Sequence, residues 1–197
     1  EKAAEGSGDH GAAPFLQNAW GQLHLYTGEF GEAEAHLRRA LAASTSVAAT
    51  VTIRLNLAEA LLAQERSIEA AEEARQAERE ALVGGLVPRL PEVYRILGRI
   101  AAKEGNPDAF TLFERALEII GERSLPILEE ARTLQAYAQA EAQRGEEDTA
   151  RQLHEQAGEK YRALGLNHMR HQWTDVHGPH PTESGGRPPA DEGEDHA

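Results

Sequence analysis

The sequence predicts an all-α fold in which four helical hairpins stack side by side, and three observations carry the prediction. Ala33, Ala70, Ala109 and Ala150 each open the same pattern, a residue four positions on and an alanine three beyond it. The triplets are Ala33-Leu37-Ala40, Ala70-Ala74-Ala77, Ala109-Phe113-Ala116 and Ala150-His154-Ala157, and steps of four and three put each on one stripe of a helix. The pattern returns after 37, 39 and 41 residues, within the range of stacked helical arrays. Gly28, Gly105 and Gly145 fall where one helix must end and its partner begin. Branched and polar residues nowhere alternate for long enough to mark a strand.

The elements follow in order. Residues 1–14, rich in Gly, Ala and charge, read as a flexible leader. Residues 15–173 read as the helical domain, in units of about 15–45, 46–84, 88–122 and 124–164 with a cap at 165–173. The first helices of the units are expected near 15–27, 47–64, 89–104 and 125–144, and the second near 30–43, 67–83, 107–121 and 147–164. The second turn carries Glu65 in place of glycine, so it is less ideal. The third turn is one residue shorter, and Pro107 suits the first turn of the helix after it. The cap, GLNHMRHQW, offers Met169 and Trp173 as apolar anchors for the open end of the array. Residues 174–197 hold four prolines, four glycines and six acids against Arg187, and read as a disordered acidic tail.

Each first helix also places a large residue before a small one: Trp20-Gly21, Leu57-Ala58, Leu97-Gly98 and Tyr137-Ala138. The small residue lets the partner helix approach closely. Together with the alanine stripe, this signature resembles the tetratricopeptide repeat family. WGQLHLYTGEFGEAEAHLRRAL is the best match, with the aromatic, the small residue, the turn glycine, Phe30 after it and the Ala-Leu-Ala stripe. The period is longer than the usual 34, the proline that commonly closes a unit is missing, and the second unit replaces most of the large residues with alanine. The resemblance implies a right-handed α-solenoid whose first helices line a concave groove. Long units of this kind look like those in sensor or scaffold arms of large bacterial regulators.

The groove implied by the resemblance maps onto Asn18, Gln22, Leu25 and Tyr26 in the first unit and Thr52, Leu55, Asn56 and Glu59 in the second. The third unit offers Arg95, Arg99 and Lys103, and the fourth Arg132, Gln135, Gln139 and Gln143. Arg95, Arg99 and Lys103 are spaced by four and form a basic ribbon in an acidic chain. Such a ribbon suits carboxylates of an acidic partner segment. Some relatives clamp a C-terminal carboxylate with paired Lys and Asn residues. Asn56 has that kind of position, but Asn18, Glu92 and Ile96 occupy the others, so a standard clamp is not expected.

Composition bounds the function. A net charge of -13 disfavours non-specific binding to nucleic acid or anionic lipid. Without cysteine there are no thiolate metal sites or cysteine nucleophiles. His168, His171, His177 and His180 cluster near the end, but the neighbouring prolines and glycine argue for a loose segment rather than a built metal site. His24 and His154 sit at core positions, and Glu141 either pairs with Arg144 or Arg151 or is exposed near the last unit. The sequence holds no phosphate loop, dinucleotide fingerprint or His-Glu-x-x-His helix, so no enzymatic activity and no cofactor are expected. No membrane-length apolar run or signal peptide is visible, and a cytoplasmic location is expected. The expected function is a non-catalytic module that holds a peptide or helix of a partner protein. The alternatives are a sensor arm of a larger regulator and a self-associating scaffold.

Overall fold

The computed structural model describes residues 12–166, and these form eight α-helices, one short 3-10 turn and no strand. The helices are α1 (Ala12–Thr27), α2 (Phe30–Ala43), α3 (Val47–Ala63), α4 (Ser67–Val83), α5 (Leu90–Lys103), α6 (Asp108–Arg123), α7 (Ile127–Arg144) and α8 (Glu147–Ala163). Each odd-numbered helix packs on the even-numbered helix that follows it. Successive hairpins meet through α2 and α3, α4 and α5, and α6 and α7. The odd helices also touch one another in sequence, α1 with α3, α3 with α5 and α5 with α7. None of the described helices is long and apolar enough to cross a membrane. The expected cap beyond Leu166, the acidic tail and the four C-terminal histidines lie outside the described residues, as do residues 1–11.

The alanine stripes are the buried seam. Ala33, Leu37, Ala40, Ala70, Ala74, Ala77, Ala109, Phe113 and Ala116 are fully buried, and so are Ala150 and Ala157. One apolar cluster joins α2, α3, α4 and α5 through Leu37, Leu55, Leu57, Leu61, Ala74, Val93 and Ile96. A second places Phe113 among Ala101, Ala109, Ala136 and Ala140, and a third packs Leu134 against Ala157 and Tyr161. Small residues keep the helices of a hairpin close. A Cβ on Gly21 would stand 2.5 Å from Leu37 Cγ, and one on Gly98 would stand 2.8 Å from Phe113 Cε1. At the corresponding site of α3 and α4 the pair is Ala58 and Ala74, both fully buried.

The turns follow their residues. Gly28, Gly105 and Gly145 adopt φ of 80°, 68° and 88°, the left-handed conformation that ends a helix cheaply only for glycine. Glu65 is held at φ 64° in the corresponding turn, so a side chain bears the strain there. Pro107 stands one position before α6 rather than inside it, and the Asp108 amide donates to Asn106 Oδ1 at 2.9 Å. Helix α1 begins at Ala12, three residues ahead of the expected Phe15. Pro14 lies in its first turn, where no amide hydrogen is needed, so it does not interrupt the helix. Helix α6 runs two residues past the expected 121 and closes on Ser124 at φ 49°.

Candidate partner-binding cleft

The odd helices carry the expected groove residues in rows, and the rows differ in how open they are. Asn18, Leu55, Arg95 and Gln135 occupy one row. Leu55 is fully buried in the apolar cluster and Arg95 is 7% exposed, so neither presents a surface to a partner. Both expectations are corrected for the same reason: the next hairpin closes over this row of α3 and α5. The adjacent row, Gln22, Glu59, Arg99 and Gln139, is partly open, and Tyr26, Lys103 and Gln143 near the helix ends are exposed.

The basic ribbon finds its carboxylates within the chain. Arg95 Nη1 donates to Glu59 Oε1 at 2.8 Å and its Nε to Glu129 Oε1 at 3.1 Å, with Glu92 at 3.9 Å. Arg99 pairs with the other Glu59 oxygen, and Lys103 pairs with Glu65. Arg95 therefore ties α5 to α3 on one side and to α7 on the other. Burial works against charge on Glu59, yet Arg99 and Arg95 outweigh it and hold the carboxyl at about 2. Burial also opposes charge on Arg95, but Glu59, Glu129 and Glu92 keep its pKa above the ordinary value. Glu92 moves the other way: burial pushes it up, and Glu129 and Glu59 add to that against Arg95 and Arg89.

Glu59 and Glu92 thus respond oppositely to acid. The depressed Glu59 stabilises the fold above the usual carboxylate pKa, and that contribution is lost as pH falls through about 2. A drop from 4.5 to about 2 corresponds to roughly 3 kcal/mol. The raised Glu92 is penalised when ionised, and acid relieves the penalty. We expect Glu59→Gln to be destabilised most near pH 6 and to converge on the wild type as pH falls from 4.5 toward 2. Urea unfolding across that range checks this, and a gap that is constant with pH would refute it.

A cleft of about 370 Å³ opens where the C-terminal parts of α3, α5 and α7 meet. Its small and apolar wall is Leu62, Ala63, Ala102, Ala136 and Ala140, and its polar rim is Glu65, Arg99, Lys103, Gln139 and Gln143. Arg99, Lys103, Gln139 and Gln143 were expected from sequence, and the fold brings them together here. No protein-family model matches the chain, and comparison with curated proteins finds no match. Its function must be argued from the cleft itself.

The other expected residues lie elsewhere. Asn56 Nδ2 donates to Asn18 Oδ1 at 2.9 Å, which links α3 to α1. Gln135 accepts from the Tyr161 hydroxyl at 2.6 Å and so belongs to the α7–α8 contact. Arg132 is exposed and lines a smaller hollow of about 160 Å³ with Pro88, Arg89, Glu92, Pro126 and Glu129, among others. Gln22 and Tyr26 are exposed on α1. His24 Nδ1 lies 2.6 Å from Glu29 Oε2, with the His36 ring stacked 5.3 Å away. Glu141 is buried and takes Arg144 as its partner at 2.6 Å. Among the described residues no group of three or more His, Asp or Glu side chains is arranged to hold a metal ion. Glu65 and the alanine wall were not anticipated. An i, i+4 pattern does reveal Ala136 and Ala140 as one row, but their significance comes only from the Arg99 and Lys103 side chains opposite.

Proposed function

We propose that residues 12–166 form a right-handed α-solenoid of tetratricopeptide type and act as a non-catalytic module that holds an extended segment of a partner protein. The cleft across α3, α5 and α7 is the observation that carries this reading. Its alanine wall leaves room for a chain to lie against the helices, and the Gln139 and Gln143 amides can donate to and accept from a peptide backbone. Repeated hairpin pairing, the close contacts of Gly21 and Gly98, and matching left-handed turns support the solenoid. Arg99 and Lys103 favour acidic side chains on the partner. Glu65 is 77% exposed, so its pair with Lys103 is weak and exchanges readily for an incoming carboxylate.

Selection of a displayed peptide library on the full chain, followed by calorimetry, tests the reading. Gln139→Ala/Gln143→Ala should weaken a selected peptide about 10- to 30-fold, the effect of two lost hydrogen bonds. Lys103→Glu should weaken it and flatten its salt dependence. Equal binding by the wild type and both variants would place the site elsewhere. Failure to select any peptide would remove the module reading.

A further inference from the structure

Helix α1 carries Phe15, Leu16, Trp20, Leu23 and Tyr26, half of the exposed large apolar side chains among the described residues. Leu16, Trp20 and Leu23, at steps of four and three, lie on one stripe. Aligning Trp20 with Leu57, Leu97 and Tyr137 gives the corresponding stripes of the other odd helices. In α3 these are Ile53, Leu57 and Ala60, at most 2% exposed. In α5, Val93 and Ile100 are buried and Leu97 packs on the core. In α7, Thr133 and Ala140 are buried, and Tyr137 stacks on Phe113 at 5.3 Å. Each of these helices packs on the last helix of the preceding hairpin. On α1 the stripe stays apolar yet 45–54% exposed.

We propose that this stripe is an interface at which α1 pairs with α1 of a second copy of the chain. Charge supports the choice. Helix α1 contains no Asp, Glu, Lys or Arg, alone among the eight helices, in a chain of net charge -13. No charged side chain of α1 opposes the approach of a second copy. The exposed surface of α8 is unsuited to cover α1, because it presents Arg151, Glu155, Glu159 and Arg162. A head-to-tail joint would bury those charges against apolar side chains. A twofold arrangement instead sets Trp20 against Trp20 and the Leu16 of each copy against Leu23 of the other, so the same patch serves both sides. The Trp20 ring is already fixed by its stack with His36, at a centroid distance of 6.2 Å, and loses little freedom on pairing.

Sedimentation equilibrium of the full chain, from about 1 to 100 µM, should show a mass rising toward twice 21.5 kDa. Leu16→Glu/Leu23→Glu should keep its helicity, since both side chains are exposed in the monomer, and weaken the dimer at least about 100-fold. The chain has no cysteine, so single cysteines report the geometry cleanly. Ala19→Cys should cross-link copies under mild oxidation, and Gln152→Cys on α8 should not. A wild type that remains monomeric throughout would overturn the proposal and leave the stripe to a different protein or to another part of a longer polypeptide. Undiminished association of the Leu16→Glu/Leu23→Glu variant would overturn it too. So would cross-linking through α8 that equals or exceeds that through α1.

Discussion

Arg95→Met should destabilise the fold by about 3–5 kcal/mol, the usual cost of removing one partner from a buried ionic cluster. Methionine keeps most of the length and apolar stem of arginine, so lost volume contributes little. What disappears is the charge between Glu59 at 2.8 Å and Glu129 at 3.1 Å, with Glu92 close by. Glu59 retains Arg99 and Glu92 retains Arg89 at 3.5 Å, but Glu129 loses its guanidinium partner while the Glu92 charge stays near it. Because their protonation then favours the folded state, the deficit should shrink as pH is lowered from 7 toward 4.5. Glu129→Gln in the Arg95→Met background should restore part of the loss, since the remaining defect is excess negative charge. Arg95→Lys should fall between the two, as an ammonium cannot reach both carboxylates with the fixed fork of a guanidinium. Urea unfolding of the set decides the matter. A loss below about 1 kcal/mol for Arg95→Met would mean that the cluster is a solvated network of the kind that contributes little.

The same residue marks where the sequence stopped being informative about the site. Spacing by four places Arg95, Arg99 and Lys103 on one ribbon, and the helices do put them there. A helical wheel assigns a residue to a face, but it does not say how far the next hairpin closes over that face. Arg95 and Leu55 share a row that is covered, while Arg99 and Gln139 share a row that is partly open. The acids that neutralise the ribbon come from 36 residues before Arg95 and 34 residues after it. Long-range pairs of that kind leave no local trace in one sequence. A single sequence supports only an acidic chain with a basic stripe, either a bait for acidic partners or a solvated helix face, and leaves no sign of the internal tie.

The helices themselves were readable because their signals are local and repeated. An alanine stripe has to face something close, so its register fixes which side of α2, α4, α6 and α8 is buried. Turn glycines fix the ends, and where glycine is missing Glu65 still takes the left-handed conformation, because the hairpin geometry leaves it no alternative. The early start of α1 was less visible. Pro14 looks like a boundary in sequence, whereas in the first turn of a helix it is compatible with three further residues.

The close approach of α5 and α6 gives the second large effect. Phe113 is fully buried, with Gly98 against its ring and the Tyr137 ring stacked on it at 5.3 Å. Phe113→Ala should cost about 3–5 kcal/mol, because the void has rigid walls on two helices and collapses poorly. Gly98→Ala presents a sharper test. Alanine is favoured over glycine in a helix by about 1 kcal/mol, so propensity alone predicts stabilisation. Its Cβ, however, would sit 2.8 Å, 2.9 Å and 3.1 Å from three atoms of the Phe113 ring, which is fully buried and has little room to move. Overpacking of that degree costs about 1–3 kcal/mol, so the net effect in the wild type should be a loss. In the Phe113→Ala background the clash is gone, the methyl group fills part of the void, and the same substitution should become stabilising. The pair of small residues at Ala58 and Ala74 already uses this solution in the preceding hairpin. Thermal unfolding of the four proteins in the cycle measures the coupling directly. Gly98→Ala raising the melting temperature of the wild type would show that α5 can shift to admit a methyl group, and that glycine is not required for helix contact.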